Sequence, residues 1–337
     1  MIFQNMEFHN VAEIVPSGLG YRLHRYPQNV RERMGGDKGG YGRYISQLTT
    51  GCEMRFVIDG DRFQISLSSF DCEGLVHVFR GDYKYGTYRI ETGKVTHIQI
   101  GAAPNFDQLP SGARKGCFAP QVWRIVSGHD FGLTFVDMQT FGYTVRPPRA
   151  DEKPAKTLLA YGTSITHGAC ATSYPLCYTQ YLARLLGCDV LNKGMGGSCG
   201  NEPEVADWFA SGELAYDAIL LENEVNMGEA QIEAYERNTA YLLKTITAAR
   251  PDCPIYAVTA YPNGSLAGAD PDNPCVKKPF KNDEALRRIA ANYPSVRIIE
   301  GHEIMDDFTL LQCDLIHLND YGHIRVAQQL AQRIGKL

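Results

Sequence analysis

The feature that most constrains the fold of this chain is a change in its hydrophobic periodicity near residue 150. Before this point, short apolar runs alternate with a period of two and contain many β-branched and aromatic residues, a pattern typical of strands. After it, apolar runs of strand length alternate with stretches of helical length. Because these patterns require different architectures, we predict two domains, at residues 1–150 and 151–337, and a length of 337 residues has room for both.

The N-terminal pattern predicts an antiparallel, jelly-roll-like β-sandwich. In Arg62–Leu67, apolar residues alternate with Gln64 and Ser66, as expected for a strand with one solvated face. Turn signals such as Asp59-Gly60 separate the runs, and no long helical pattern lies between them. The other predicted strands are Glu53–Ile58, Leu75–Phe79, Val95–Ile100 and Gln121–Val126.

The C-terminal pattern predicts a mainly parallel sheet with helices on both faces, reached through an exposed, proline-rich linker at residues 144–154. In such folds, ligand sites form where the carboxyl ends of the strands meet the loops that lead into helices. The predicted strands are Thr157–Ala160, Asp189–Leu191, Ala218–Leu221, Ile255–Val258 and Val296–Ile299. The predicted helices are Tyr174–Leu186, Glu229–Ala248, Asp283–Ala291 and Asp320–Ile334.

Three residues in the strand-end loops form a candidate catalytic triad. Ser164 follows the first strand of this half, and a serine at such a turn, next to glycines that permit close approach, suits an exposed nucleophile. Near the carboxyl terminus, Asp314 precedes His317 by three residues. An imidazole can take the serine proton near neutral pH, and a carboxylate beside it fixes its tautomer.

Two further loops supply groups suited to binding an oxyanion. Asn192–Ser198 is glycine-rich and can present bare N–H groups, while Asn226 follows the third strand. Phosphate binding is the rival interpretation of the glycine-rich loop, but neither GxGxxG nor GxxxxGKS/T is present. Each signal is weak alone, since serine and threonine are common helix caps, but the four loops together indicate acyl transfer.

Residues 157–337 resemble the SGNH hydrolase family, also called the GDSL esterase/lipase family. Its four blocks match, in order, Gly162-Thr163-Ser164, Asn192–Gly197, Glu224-Val225-Asn226 and Asp314–His317. The resemblance implies a flavodoxin-like, three-layer α/β domain in which Ser164 is the nucleophile, His317 the base and Asp314 its partner. It also implies an oxyanion hole formed by the N–H groups of Ser164 and Gly197 and the side chain of Asn226.

Three residues in these blocks depart from the usual family sequence: Thr163 replaces Asp, Glu224 replaces Gly and Met227 replaces Asp. Thr163 and Glu224, together with His167, are candidates for the substrate pocket. A carboxylate near the oxyanion hole would oppose the developing negative charge. Glu224 is therefore either engaged, by a basic group such as Lys193 or by donors on the substrate, or turned to solvent.

Other residues carry simpler expectations. His167 is expected at the pocket rim or in solvent rather than as the base, and His323 in the terminal helix is expected to be structural. Trp123 is expected in the sandwich core. The polar segment Tyr261–Pro274 is either an active-site rim loop or a surface insertion.

Charge and composition restrict the partners and the cellular location. A formal charge of −5 argues against binding nucleic acid by bulk electrostatics. No apolar run is long enough to span a bilayer and the first residues do not form a signal peptide, so we expect a soluble, cytoplasmic protein that binds no membrane. The ten cysteines show no metal-binding spacing, so we expect reduced, mostly buried thiols, no disulfide framework, no metal and no cofactor.

The residues and the resemblance favour a serine ester hydrolase that removes a small acyl group from a small-molecule or carbohydrate ester. A β-sandwich before an SGNH domain is similar in layout to the jelly-roll-plus-SGNH carbohydrate esterases, which implies removal of acetyl from a carbohydrate. The layout is also similar to an SGNH branch that contains acyltransferases, so transfer to a metabolite hydroxyl is an alternative. A glycan-binding protein with an inert SGNH domain is the other alternative, and the complete set of catalytic groups disfavours it.

Overall fold

The computed structural model describes residues 1–35, 40–113, 116–228, 231–264 and 280–337. The chain divides into two compact units. The N-terminal unit comprises residues 1–27 and 47–155, and the C-terminal unit comprises residues 28–46 and 156–337. These units differ from the predicted domains, 1–150 and 151–337, because the division follows Ala155 and because residues 28–46 group with the C-terminal unit.

The N-terminal unit is built from strands β1 (Ile2–Phe3), β2 (Met6–His9), β3 (Glu13–Ser17), β4 (Gly20–His24), β5 (Glu53–Ile58), β6 (Phe63–Ser69), β7 (Gly74–Arg80), β8 (Tyr83–Ile90), β9 (Thr96–Ile100), β10 (Trp123–Ser127), β11 (Leu133–Gln139) and β12 (Val145–Arg146). One sheet runs in the order β1-β2-β5-β10-β7-β8, with β12 also paired to β5, and the other runs β3-β4-β11-β6-β9. The strand pairs are antiparallel. Buried side chains from both sheets form one hydrophobic core, so the predicted β-sandwich is confirmed.

Short helices interrupt the strands: α1 (Gln28–Arg31), α2 (Tyr41–Gln47) and α3 (Pro104–Asp107). The period-two pattern of β6 explains its place in the core, since Phe63, Ile65 and Leu67 are buried. Trp123 on β10 packs edge-on against Phe63 and Tyr85 and is a core residue, as predicted.

The sandwich also encloses a group of ion pairs. The buried carboxylate of Glu53 accepts hydrogen bonds from Arg55 at 2.8 Å and from Arg124 at 3.0 and 2.8 Å. Burial opposes ionisation of Glu53, but the two guanidinium groups outweigh it and lower the pKa of the carboxyl to about 2. The charge of Glu53 is therefore part of the stability of this unit.

Residues 144–154 are not the exposed linker that their composition predicts. β12 pairs with β5, and Arg146 donates hydrogen bonds of 2.7 Å to both carboxylate oxygens of Glu152. The backbone N–H of Arg149 donates to the same group, and these bonds lower the pKa of Glu152 to about 2. The prolines and charges therefore belong to a segment that is fastened to the N-terminal unit.

The C-terminal unit contains strands β13 (Thr157–Gly162), β14 (Asp189–Gly194), β15 (Ala218–Glu222), β16 (Ile255–Val258) and β17 (Val296–Ile299). Its further helices are α4 (Ser164–His167), α5 (Tyr178–Leu186), α6 (Pro203–Ala210), α7 (Ile232–Ala249), α8 (Phe280–Ala290), α9 (Gly301–Ile304) and α10 (Asp320–Ile334). The strands form a parallel sheet in the order β14-β13-β15-β16-β17. This is the 2-1-3-4-5 order of a flavodoxin-like fold, so the predicted fold class is confirmed.

Alternate residues of the central strand β13 face opposite sides of this sheet. Leu158 and Ala160 belong to a core that includes Leu182 of α5 and Leu330 of α10. Tyr161 is buried on the other side and packs edge-on against a phenylalanine of α6. Because both faces are covered by helices, polar chemistry is left to the loops at the strand ends.

No helix among the described residues has the length and apolar character needed to cross a membrane. None of the described cysteines is joined to another by a disulfide. The expectation that they are mostly buried holds only in part: Cys52, Cys177, Cys188 and Cys199 are buried, whereas Cys72, Cys170 and Cys313 are exposed.

Candidate active site

Ser164 begins the short helix α4 directly after β13. Thr163 caps this helix, because its side-chain oxygen accepts a hydrogen bond from the backbone N–H of Ile165 at 3.3 Å. The Oγ of Ser164 lies 2.7 Å from Nε2 of His317. This distance suits transfer of the serine proton to the imidazole.

Asp314 contacts the opposite side of the His317 ring. Nδ1 of His317 lies 2.6 Å from Oδ2 of Asp314, so it carries the proton and leaves Nε2 as the acceptor toward Ser164. The other oxygen of Asp314 accepts hydrogen bonds of 3.0 Å from the backbone N–H groups of Ile316 and His317. Although burial opposes ionisation, these hydrogen bonds lower the pKa of Asp314 below its usual value. The structure thus brings the three predicted triad residues together.

The loop that carries Asp314 and His317 is held by the residues around it. Asn319 caps α10 by accepting from the N–H of Gly322, and its amide donates to the carbonyl oxygens of Thr309 and Leu311 at 2.8 and 3.1 Å. The backbone N–H of Gly264 donates to the carbonyl oxygen of Leu315 at 2.7 Å. These contacts set the position of the histidine relative to the serine.

A buried carboxylate lies beneath the serine turn. Glu222, the last residue of β15, accepts hydrogen bonds from the hydroxyl and backbone N–H of Thr163, at 2.8 and 3.1 Å. It also accepts from the hydroxyl and N–H of Thr166, at 2.9 and 3.3 Å. Burial raises the pKa of Glu222 to about 7, although these donors favour the ionised form. Glu222 therefore anchors the backbone on both sides of Ser164.

The end of β14, where the glycine-rich segment begins, packs against α4. The amide of Asn192 donates to the carbonyl oxygen of Thr166 at 2.8 Å. A Cβ at Gly194 would collide with the backbone nitrogen of His167, so only glycine permits this close approach. Asn192 and Gly194 together hold the loop next to the serine helix.

The two glycines at the end of this loop have different surroundings. Gly197, the predicted oxyanion donor, is exposed and has a φ of +65°, a conformation that favours glycine. A Cβ on Gly197 would lie 3.1 Å from the ring of Tyr41, which belongs to the segment 28–46. A Cβ on its neighbour Gly196 would lie 3.9 Å from Cα and Cβ of Ser164. Sequence reasoning did not single out Gly196 or Tyr41.

Asn226 lies in a turn that follows β15. Its Oδ1 accepts a hydrogen bond from the backbone N–H of Cys199 at 3.0 Å, which fixes the orientation of the amide and links it to the loop after β14. The amide of Asn282 on α8 donates to the carbonyl oxygens of Glu224 and Met227, at 2.8 and 2.6 Å. These two bonds bridge the turn on either side of Asn226.

The expectation that Glu224 turns to solvent is wrong, and its engagement by Lys193 or by a substrate stays a prediction. Glu224 is buried rather than turned to solvent, and its Oε1 accepts a hydrogen bond of 2.5 Å from the hydroxyl of Tyr235 on α7. Lys193 is also buried, and its ammonium group lies 5.1 Å from the ring centre of Trp208. Burial, together with the nearby carboxyl of Asp283, raises the pKa of Glu224 well above its usual value. Burial therefore favours the neutral form of the Glu224 carboxyl.

The other predicted pocket residues are also buried. Thr163 is bonded to Glu222, and His167 is packed against the glycine-rich loop rather than placed at the rim or in solvent. A role for either residue in the substrate pocket stays a prediction. His323 is structural, as predicted, because its ring stacks on Tyr178 and lies 3.1 Å from the carbonyl oxygen of Ala169.

Two further expectations from the sequence concern the segment Tyr261–Pro274 and the binding of metal. Most of the segment Tyr261–Pro274 lies outside the described residues, which resume at Phe280. The expectation that the protein holds no metal stays a prediction, although Cys170, Asp314 and His317 each offer a ligand atom within 4.8 Å of the others. The sequence did not point to Cys170 or Glu222, because neither belongs to a recognisable motif spacing. A glutamate at the end of a buried strand is a signal that could have identified Glu222.

The arrangement can carry out nucleophilic attack on a carbonyl group. Ser164 supplies an alcohol, His317 is in position to take its proton, and Asp314 holds the imidazole in the required tautomer. Asn226 and the glycine-rich loop lie in the strand-end loops that flank the serine. These are the groups that acyl transfer through a covalent intermediate requires.

Comparison with known proteins gives the family and the fold of the chain. A family model described as the GDSL-like lipase/acylhydrolase family matches residues 155–335. No curated protein matches the chain at a significant level. Among solved structures, a salicylyl-acyltransferase from a tetracycline biosynthetic pathway superposes with a TM-score of 0.78 and 14% identity, over 98% of this chain and 94% of that one.

Two solved carbohydrate esterases are also similar. A family two carbohydrate esterase from Clostridium thermocellum, in complex with cellohexaose, has a TM-score of 0.63 and 12% identity, over 85% of this chain and 92% of that one. An acetyl xylan esterase from the rumen bacterium Butyrivibrio proteoclasticus has a TM-score of 0.59 and 11% identity, over 99% and 95%. At such low identities these likenesses establish the fold.

Proposed function

Because this chain belongs to the GDSL-like lipase/acylhydrolase family, we propose that it is a serine esterase that removes a small acyl group through an acyl-enzyme on Ser164. The observation that carries the proposal is the continuous hydrogen-bonded chain from Ser164 through His317 to Asp314, with distances of 2.7 and 2.6 Å. A serine alcohol is a weak nucleophile unless a base takes its proton, and this chain supplies the base and its orienting carboxylate.

The reaction has two stages. His317 takes the proton of Ser164 as the oxygen attacks the ester carbonyl, and the resulting imidazolium is stabilised by Asp314. His317 then returns the proton to the leaving alcohol. Water, activated by the same imidazole, attacks the acyl-enzyme and releases the acid.

The oxyanion is stabilised by the backbone N–H groups of Ser164 and Gly197 and by the side-chain amide of Asn226. The hydrogen bond from Cys199 to Oδ1 of Asn226 supports this role, because it holds the amide in one orientation before substrate arrives. The raised pKa of Glu224 supports it too, since burial disfavours an ionised carboxylate, which would oppose the developing charge close to Asn226.

The substrate we favour is a carbohydrate ester carrying acetyl or another small acyl group. Its support is the β-sandwich that precedes the catalytic unit, as in the carbohydrate esterases with which the chain shares its fold. Transfer of the acyl group to a metabolite hydroxyl is the second candidate, because the salicylyl-acyltransferase shares both units of the fold. The two reactions differ only in whether water or an alcohol attacks the acyl-enzyme.

The test uses p-nitrophenyl acetate and acetylated xylo-oligosaccharides with the full chain. We expect Ser164→Ala to lower kcat by at least about 10⁴-fold without changing the thermal unfolding midpoint. Ser211→Ala, which alters an exposed serine at the end of α6, serves as the matched control and should keep full activity. Turnover by Ser164→Ala at the wild-type rate would refute the proposal.

A second measurement separates hydrolysis from transfer. Adding a sugar alcohol as acceptor should leave free acetate as the main product if the protein is a hydrolase. If the acetylated acceptor dominates at an acceptor concentration far below that of water, the acyltransferase is the correct assignment.

A further inference from the structure

The thiol of Cys170 lies next to the Asp314–His317 pair. The sulfur, a carboxylate oxygen of Asp314 and a ring nitrogen of His317 all lie within 4.8 Å of one another. Cys170 and Asp314 are exposed and His317 is partly exposed, so an ion in solution can reach all three. We propose that these residues form a binding site for a soft divalent cation such as Zn²⁺, and that the bound ion inhibits the enzyme.

The position of Cys170 is determined by contacts on both sides of it in the chain. Before it, the carbonyl oxygen of Ala169 lies 3.1 Å from Nε2 of His323. After it, the backbone N–H and the hydroxyl of Thr172 donate to the carboxylate of Asp320 at 2.8 and 2.6 Å. His323 and Asp320 belong to α10, which directly follows the loop of the histidine and aspartate.

Cys170 is also fastened to that loop itself. The side-chain amide of Gln312 donates to the carbonyl oxygen of Cys170 at 3.3 Å. The thiol and the Asp314–His317 pair are therefore held close together by the fold before any ion binds. A site assembled in advance loses little conformational freedom on binding, which favours affinity.

The three groups are ligands that Zn²⁺ prefers. Thiolate sulfur, imidazole nitrogen and carboxylate oxygen bind it at about 2.0–2.3 Å in tetrahedral geometry, and three protein ligands leave one position for water. Ligand atoms in such a site are separated by about 3.3–3.7 Å. Nδ1 of His317 and Oδ2 of Asp314 are 2.6 Å apart, so their side chains must separate by about 1 Å on binding.

Binding at Nδ1 would stop catalysis through the tautomer of the imidazole. A neutral imidazole that coordinates metal through Nδ1 keeps its one proton on Nε2. Nε2 then donates toward Ser164 and can no longer take the serine proton. When the ion binds, the imidazole proton moves from Nδ1 to Nε2. The thiol of Cys170 releases its proton to water, and the carboxylate of Asp314 has no proton to release.

Binding of Zn²⁺ can be measured by calorimetry in a variant that lacks the catalytic serine. Isothermal titration calorimetry of ZnCl₂ into full-length Ser164→Ala should show one bound ion, and adding Cys170→Ala should weaken its binding by at least tenfold. Cys313→Ala is the matched control, because Cys313 is an exposed cysteine next to Asp314 that lies outside the ligand group. Equal affinity in the Cys170 and Cys313 variants would overturn the assignment of the site, and so would the absence of binding.

The inhibitory effect rests on the proposed esterase function and is tested separately. At a Zn²⁺ concentration that lowers wild-type p-nitrophenyl acetate hydrolysis tenfold, Cys170→Ala should keep more than half of its activity and Cys313→Ala should be inhibited like wild type. EDTA should restore the wild-type rate. A rise in activity with Zn²⁺, or equal inhibition of both variants, would overturn the inhibitory role. A wild-type protein with no esterase activity would refute the proposed function and leave the calorimetric result to decide the site.

Discussion

At the scale of single residues, the amide of Asn226 is held in one orientation by the N–H of Cys199. We expect Asn226→Ala to lower kcat by about 10²–10³-fold with little change in KM, the usual loss for one oxyanion donor. Steady-state kinetics with p-nitrophenyl acetate measure both parameters. Asn238→Ala, which removes an amide bonded to the carbonyl oxygen of Gly200, is the control and should change kcat by less than about twofold. A loss below about fivefold for Asn226→Ala would place Asn226 outside the oxyanion hole.

Glu224 provides a second prediction at the residue scale. Because burial favours the neutral form of its carboxyl, Glu224→Gln introduces a neutral group of similar shape and should keep kcat/KM within about threefold. Tyr235→Phe instead leaves the Oε1 atom of Glu224 without its donor, and should lower the free energy of unfolding by about 1–3 kcal/mol. Kinetics and chemical denaturation measure the two effects. A change of tenfold or more in kcat/KM for Glu224→Gln would mean that the carboxyl takes part in the reaction.

At the scale of secondary structure, α8 supports the turn that carries Asn226 through the side chain of Asn282. Asn282 bonds the carbonyl oxygens of Glu224 and Met227, so Asn282→Ala should loosen the turn that carries Asn226. We expect kcat to fall by about tenfold, with KM nearly unchanged, because the donor is needed mainly in the transition state.

A matched control for this element lies on the same chain segment. Asn292, just after α8, bonds the carbonyl oxygens of Arg288 and Ile289, both on α8 itself. Asn292→Ala should therefore affect stability alone. If both variants lower kcat equally, α8 acts through general stability and not through the turn.

At the scale of the whole molecule, the buried carboxyl groups of the two units have pKa shifts of opposite sign. In the N-terminal unit, the arginine partners lower the pKa of Glu53 from 4.5 to about 2, a shift equivalent to about 3 kcal/mol. The stability from this group is complete above the unfolded value of 4.5 and is lost as the pH falls through about 2. In the C-terminal unit, burial raises the pKa of Glu222 to about 7 and that of Asp283 to about 6. These two carboxyl groups keep their protons in the folded state at pH values at which they are ionised in the unfolded state. The free energy of unfolding of this unit therefore falls as the pH rises from about 4.5 through 7.

The two tryptophans of the chain allow this prediction to be measured unit by unit. Trp123 lies in the N-terminal core and Trp208 in α6 of the C-terminal unit. Thermal unfolding is followed by fluorescence. In Trp208→Phe, Trp123 reports on the N-terminal unit, and the midpoint temperature should decrease as the pH is lowered from 6 to 3. In Trp123→Phe, Trp208 reports on the C-terminal unit, and the midpoint temperature should decrease as the pH is raised from 5 to 8. Shifts in the same direction for both variants would contradict the assignment of these pKa values.

Much of the architecture could be predicted because periodicity is a local property. The strands Glu53–Ile58, Ile255–Val258 and Val296–Ile299 and the helix Asp320–Ile334 have their predicted bounds. The family assignment is likewise confirmed by a match over residues 155–335. The approach of Ser164 to His317 was predictable as well, since the carboxyl ends of parallel strands lie along one edge of the sheet.

Other features were decided only by the tertiary structure. The composition of residues 144–154 predicted a linker, but the ion pair of Arg146 with Glu152 fastens the segment to the sandwich. Glu222 and Glu224 have the same side chain two positions apart, yet one anchors the serine turn and the other bonds a tyrosine of α7. Cys170 lies close to Asp314 and His317 because the fold brings together two loops that are far apart in the sequence.

The sequence by itself therefore determined the fold class of each half and the strand ends at which polar residues gather. It could do so because hydrophobic periodicity is set within short segments, and because the carboxyl ends of parallel strands share one edge of the sheet. The partners, burial and protonation state of the polar side chains were determined by the tertiary structure. These properties depend on atoms contributed by segments that are far apart in the chain, and a local sequence pattern does not predict which distant segments come into contact.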